Sequence, residues 1–160
     1  MPFTPESVPA SWGLTDPERG VRNLAAIRNS VTLAPYETII ALLDRYLPQS
    51  ADADRALNNL ERLLAVPAGR DRLPDLMAGD GKGLAEILAV LAASQFFADT
   101  LVSDPDCIDL ARGGMVRSPS TAELTADLRS QADASRDDAG LLSAFRRFRR
   151  IQALRVGRTT

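Results

Sequence analysis

Apolar residues recur along this chain at steps of three and four, the period of a helix with one buried face. No segment alternates in the period of two that a half-buried strand needs. Residues 1–14 hold three prolines and predict an irregular arm, with Trp12 docking on the body. Thr15 and Glu18 then have capping-box spacing, Pro17 suits a first helical turn, and Val21, Leu24, Ala25 and Ile27 form an apolar face. From Pro35, a second stripe runs through Tyr36, Ile39, Ile40, Leu43, Tyr46 and Leu47 until Pro48 stops it. A third helix starts around Ala51–Asp54, buries Leu57, Leu60, Leu63 and Leu64, and is expected to end at Pro67 and Gly69.

Pro74 and the glycines 79, 81 and 83 break residues 70–83 into a short helical turn and a loop. Leu84, Ile87, Leu88 and Leu91 resume the period. Ser94 is placed to cap a helix from Gln95 to Ser103 whose bulk is Phe96, Phe97, Leu101 and Val102. Asp104–Pro105 opens a short helix that ends before Gly113–Gly114. Another runs from Ser120 or Thr121 through Ala134, with Leu124 and Leu128 inward, and the last from about Asp137 to Arg155. The apolar residues are mostly Leu and Ala, and there is no fixed-period repeat. The reading is an all-α fold, a bundle or short irregular solenoid of about seven or eight helices, forming one domain over 15–157 with a tail at 158–160.

Composition narrows the chemistry. With 160 residues and 45% hydrophobic content, one domain can bury a core without staples. A net charge of −2 supplies no global field to recruit nucleic acid or membrane. Histidine is absent, which removes the commonest general base and zinc ligand. The single cysteine, Cys107, excludes an internal disulfide and suits a reducing compartment. Residues 1–12 lack the basic and apolar regions of a signal peptide, and no apolar run approaches the ~18 residues of a membrane span. The expected location is cytoplasmic.

No motif yields a complete catalytic site. Gly79-Asp80-Gly81-Lys82-Gly83 lacks the spacing, the hydroxyl residue and the preceding strand of a phosphate loop, and reads as a plain loop. Asp52/Asp54 and Asp104/Asp106 have the Asp-x-Asp spacing of metal-dependent nucleotidyl transfer, but both pairs fall at expected helix starts. There carboxylates two apart diverge, and capping is the better reading. Cys107 has no base to activate it, and nothing marks Ser118 or Ser120 as a nucleophile. The last helix is the unusual feature. Arg146, Arg147, Arg149, Arg150, Arg155 and Arg158 crowd together, and no acid follows Asp138. On a helical projection Leu141, Phe145, Phe148 and Ile151 share one side and Arg146, Arg147 and Arg150 lie opposite. Phe145, Phe148 and Ile151 are therefore expected anchors. Arg146, Arg147 and Arg150 form either a solvated face or a docking face for another protein; nucleic acid ranks last.

Two stretches carry a resemblance. Residues 94–106 read Ser-Gln-Phe-Phe-Ala-Asp-Thr-Leu-Val-Ser-Asp-Pro-Asp, and residues 142–157 read Leu-Ser-Ala-Phe-Arg-Arg-Phe-Arg-Arg-Ile-Gln-Ala-Leu-Arg-Val-Gly. Together, in order and spacing, they resemble the N-terminal helical segment of the bacterial glutamine synthetase adenylyltransferase/adenylyl-removing enzyme, over about residues 84–157. Members of that family carry two nucleotidyltransferase domains that add AMP to, and remove it from, a glutamine synthetase tyrosine. Each has a Gly-Ser pair and an Asp-x-Asp or Asp-x-Glu strand for divalent metal. This chain has no matching positions, so the resemblance implies no catalytic, cofactor or metal residue here, with ATP and Mg expected only in full-length members. It implies a fragment, truncated product or freestanding paralogue of the leading region that is inactive alone. The expected partners are a nucleotidyltransferase domain, in cis or in trans, and glutamine synthetase. The alternative is a freestanding helical adaptor that uses the Arg-rich helix.

Overall fold

A computed structural model describes residues 7–112, 120–133 and 138–157. These residues form ten α-helices with no strand among them: α1 Pro17–Ser30, α2 Leu33–Tyr46, α3 Ala53–Ala65, α4 Pro67–Asp71, α5 Leu73–Met77, α6 Lys82–Ala93, α7 Gln95–Ser103, α8 Ile108–Arg112, α9 Thr121–Asp133 and α10 Asp138–Gly157. Single 3-10 turns sit at Ala10–Trp12, Leu47–Gln49 and Pro105–Cys107. The all-α expectation holds, the two five-residue helices α4 and α5 filling the stretch around Pro74. The chain divides into two compact units, Met1–Ile108 and Asp109–Thr160. The expected helix break at Gly113–Gly114, the loop at Ser118 and the tail at 158–160 lie outside the described residues, as do residues 1–6 of the arm.

In the first unit α3 is the hub, packing against α1, α4, α6 and α7. Leu57, Leu60, Leu63 and Leu64 are fully buried, joined by Ala53 and Ala56. Such a four-leucine face removes enough apolar surface to contribute roughly 6–12 kcal/mol of gross stabilisation, at about 1.5–3 kcal/mol per side chain. Leu24 and Ile27 of α1, Tyr36, Ile39 and Leu43 of α2, and Leu84, Ile87 and Leu91 of α6 complete the core. Trp12 docks as expected: it is buried, and its indole N–H donates to Asp44 Oδ1 at 2.6 Å.

Three local expectations need correction. The α1 cap is Asp16, not Thr15: the Asp16 carboxylate accepts from the Arg19 N–H at 2.9 Å, ahead of Pro17 at the first position. The Thr15 N–H and hydroxyl are drawn away to Asp54 Oδ2, at 2.7 and 2.8 Å, while the Asp16 N–H donates to Asp54 Oδ1 at 3.0 Å. One carboxylate in the first turn of α3 thus ties down the start of α1. Secondly, α3 ends at Ala65, and Pro67 opens α4 rather than closing α3, because its missing N–H is harmless in a first turn. Thirdly, Phe96 is not core: it is 51% exposed and meets Phe97 edge-on at 5.7 Å, while the smaller Ala98, Thr100 and Leu101 take the buried side of α7.

In the second unit α9 and α10 pack together. The start of α9 is a reciprocal capping box. Ser120 donates through its N–H and hydroxyl to Glu123 Oε2 at 2.6 and 2.8 Å, and the Glu123 N–H donates back to Ser120 Oγ at 3.3 Å.

Candidate functional site

The Arg-rich segment is helical from Asp138 to Gly157. Arg146, Arg147 and Arg149 are exposed, Arg150 and Phe148 partly so. Phe148 therefore sits at the edge of a contact rather than deep in one. The side chains of Phe145 and Ile151, the other expected anchors, and of Leu141 and Leu124, lie outside the described residues. One feature of this helix escaped the sequence reading: Leu142 is 57% exposed and shares the surface with the arginines. Its signal was present in the spacing, since Leu142, Arg146 and Arg149 are separated by four and three residues.

A second constellation lies where α3, α6 and α7 meet. Asn59 is fully buried. Its amide N–H groups donate to the Leu91 carbonyl at 3.2 Å and to Gln95 Oε1 at 3.3 Å. Its oxygen accepts from Gln95 Nε2 at 3.2 Å and from Arg62 at 3.0 Å. Arg62 also pairs with Asp99 at 2.7 Å, Gln95 donates to Asp99 at 2.9 Å, and Arg55 donates to the Ala92 carbonyl at 3.0 Å. The carbonyls at the end of α6 have no helical partners, and Asn59 and Arg55 supply them. The Arg62 guanidinium and the Gln95 amide hold the Asp99 carboxyl below the ordinary carboxylate range. The polar side of the Ser94–Asp106 motif, Gln95 and Asp99, thus clamps α7 to α3. This arrangement is structural: every polar member is occupied by another.

The Asp-x-Asp pairs do not fit a metal. Asp52 caps α3 through the Arg55 N–H at 2.9 Å and pairs with the Arg55 guanidinium at 3.1 Å, as the capping reading expects. Both Asp54 oxygens are taken by Thr15 and Asp16. Burial alone pushes its pKa up, but those N–H and hydroxyl donors win and hold it below the ordinary value. Asp106 pairs with Arg72 at 2.8 Å rather than capping a helix. Among the described residues no three His, Cys, Asp or Glu side chains gather where they could hold a metal ion.

The glycine loop turns through left-handed backbone at Gly79 and Gly81 (φ 66° and 74°), with the Lys82 N–H donating to Asp80 Oδ1 at 3.1 Å. Gly81 lies so close to Leu42 that a Cβ there would collide with it. Cys107 is buried. An open, mostly apolar groove of about 380 Å³ runs between the arm and α2, bordered by Pro9, Trp12, Leu24, Tyr36, Glu37 and Ile40. Burial raises the Tyr36 pKa, partly offset by the Arg28 guanidinium lying 5.6 Å from its ring. None of these places assembles a nucleophile, a base and an electrophilic stabiliser in mutual reach.

Among the described residues no helix is long and apolar enough to cross a membrane. Comparison with protein-family models matched residues 84–160 to the glutamate-ammonia ligase adenylyltransferase family, a stretch that opens at α6 and includes α7 to α10. No curated protein and no solved structure matched.

Proposed function

We propose that this chain, whose match over residues 84–160 supports membership of the glutamate-ammonia ligase adenylyltransferase family, serves that chemistry as a non-catalytic helical region. It packs against a nucleotidyltransferase domain, in cis or in trans, and contributes to control of glutamine synthetase through AMP transfer without itself transferring or removing AMP. ATP and Mg belong to the partner domain.

The observation that supports this reading is the character of α10 within the matched stretch. Arg146, Arg147 and Arg149 are exposed and Arg150 partly so, and no ion pair to Arg146, Arg149 or Arg150 occurs among the described residues. An exposed arginine facing water contributes only about 0–1 kcal/mol, so intrachain stability does not account for Arg146 and Arg149. Guanidinium forks gain most against carboxylates or carbonyls held in fixed geometry by a partner.

The test has two arms. The purified chain with glutamine synthetase, ATP and Mg is expected to neither adenylylate nor deadenylylate it. Mixed with a purified nucleotidyltransferase domain of the family, it is expected to form a complex that Arg146→Ala/Arg147→Ala/Arg150→Ala weakens while the melting temperature of the chain barely moves. Adenylylation by the chain alone, or no complex, overturns the reading.

A further inference from the structure

Among the described residues of the second unit no large apolar side chain is fully buried. Of its described large apolar side chains, Leu128 and Phe148 remain partly exposed and Leu142 is 57% exposed. A helix that leaves a leucine as open as Leu142 has a face that carries a hydration cost in isolation and gains when covered. On α10 the uncovered face has a definite pattern. Leu142, Arg146 and Arg149, all exposed, and Ala153, partly so, follow at steps of four, three and four. At 3.6 residues per turn these four side chains fall within about 60° of arc, along roughly 17 Å of helix. Arg150 flanks the stripe, about 40° from Arg146.

Resting on the docking reading above, we propose that this stripe is the contact itself. Its occupant is a carboxylate-bearing helical surface of the nucleotidyltransferase domain with a small apolar socket that receives Leu142. The charge of this segment sets the sign of the partner: from Ala139 to Thr160 there are six arginines and no acid. The leucine sets its class. A phosphate backbone offers no socket for an exposed leucine at the head of an arginine row, whereas a helix carrying acids at steps of three and four matches the row's own spacing. The stripe divides the work as interfaces commonly do: one apolar anchor desolvated in a pocket, and charged neighbours that set orientation and association rate.

The test titrates the full 160-residue chain against a purified nucleotidyltransferase domain of the family, at low and high salt. Leu142→Asp and the swap Arg146→Glu/Arg149→Glu are each expected to weaken binding at least ~10-fold. Leu142→Ala is expected to weaken it less, and the swap to remove most of the salt dependence. Leu33→Asp is the control: Leu33 is 55% exposed, nearly as open as Leu142, but lies on α2, and its substitution is expected to leave binding unchanged. Circular dichroism confirms that each variant keeps its helix content. If the wild-type chain does not bind the domain, the docking reading itself falls. If it binds and the stripe variants bind equally well, docking stands and the stripe is the wrong face. Binding of a short RNA duplex abolished by the charge swap but indifferent to Leu142→Asp overturns the inference in favour of phosphate recognition. Concentration-dependent dimers dissolved by the same substitutions overturn it in favour of a second copy of the chain.

Discussion

Replacing Asn59 with alanine removes the fully buried member of the polar cluster that joins α3, α6 and α7. The Leu91 carbonyl, in a residue with no exposed surface, loses the amide that satisfies it. An unsatisfied buried acceptor costs about 1–3 kcal/mol. The reciprocal bonds to Gln95 and the bond from Arg62 also go, but both of those side chains reach water, so their loss adds only ~0–1 kcal/mol. The space vacated by the amide adds a further ~1 kcal/mol. The total of roughly 2–5 kcal/mol should lower the melting temperature of the first unit by about 8–30 °C, at ~4–6 °C per kcal/mol for a unit of this size. Thermal melting followed by circular dichroism, with urea denaturation as a second probe, measures it. Asn59→Leu keeps the volume but cannot bond, and should retain most of the loss. A double-mutant cycle with Gln95→Ala should show a coupling of ~0.5 kcal/mol or more. If Asn59→Ala costs under ~0.5 kcal/mol, water serves the α6 carbonyls as well as the side chain does, and the clamp is not what holds α7 to α3.

Acid should destabilise the first unit through Asp54 and Asp99. Both pKa values lie lower in the folded chain than in the unfolded one, so the stability they confer is complete above the ordinary carboxylate range near pH 4 and is lost as pH falls below it. Asp54→Asn should flatten that acid limb in denaturation measured across pH. The raised pKa of Tyr36 acts at the other extreme: above about pH 10 the unfolded chain releases the tyrosine proton first, so stability should decline there, and Tyr36→Phe should remove the decline. Gly81→Ala should cost at least ~1 kcal/mol of folding stability, because left-handed backbone and collision with Leu42 act together, whereas Gly79→Ala meets the backbone penalty alone. Phe148→Ala should cost only ~1–2 kcal/mol, since the ring is partly exposed; a loss of 3–5 kcal/mol in denaturant unfolding would show a fully buried anchor instead.

The helices themselves were legible from spacing. The leucines 57, 60, 63 and 64 lie on the buried face of α3 because a three/four period leaves no other way to shield them, and Gln95 to Ser103 is a helix with the bounds the pattern sets. The arginine row was legible too, since six arginines after the last acid depend on no contact. The ends and edges were not. Thr15 has the local spacing of a cap, and only the approach of Asp54, thirty-nine residues away, takes its hydroxyl and leaves the cap to Asp16. Phe96 is bulky enough for any core, yet α7 lies against α3 and α6 through Ala98 and Leu101, so the ring is left outside. Asn59 reads as a surface residue until the end of α6 is brought over it, where the unpaired carbonyl of Leu91 makes an amide more stable than water-filled space. Leu142 is the converse case, an apolar residue whose exposure depends on which face of α10 the rest of its unit covers. Periodicity is local and can be read from neighbours in sequence. Caps, clamps and uncovered faces are set by competition among groups that meet only after the chain folds, and that competition was decided by the tertiary structure alone.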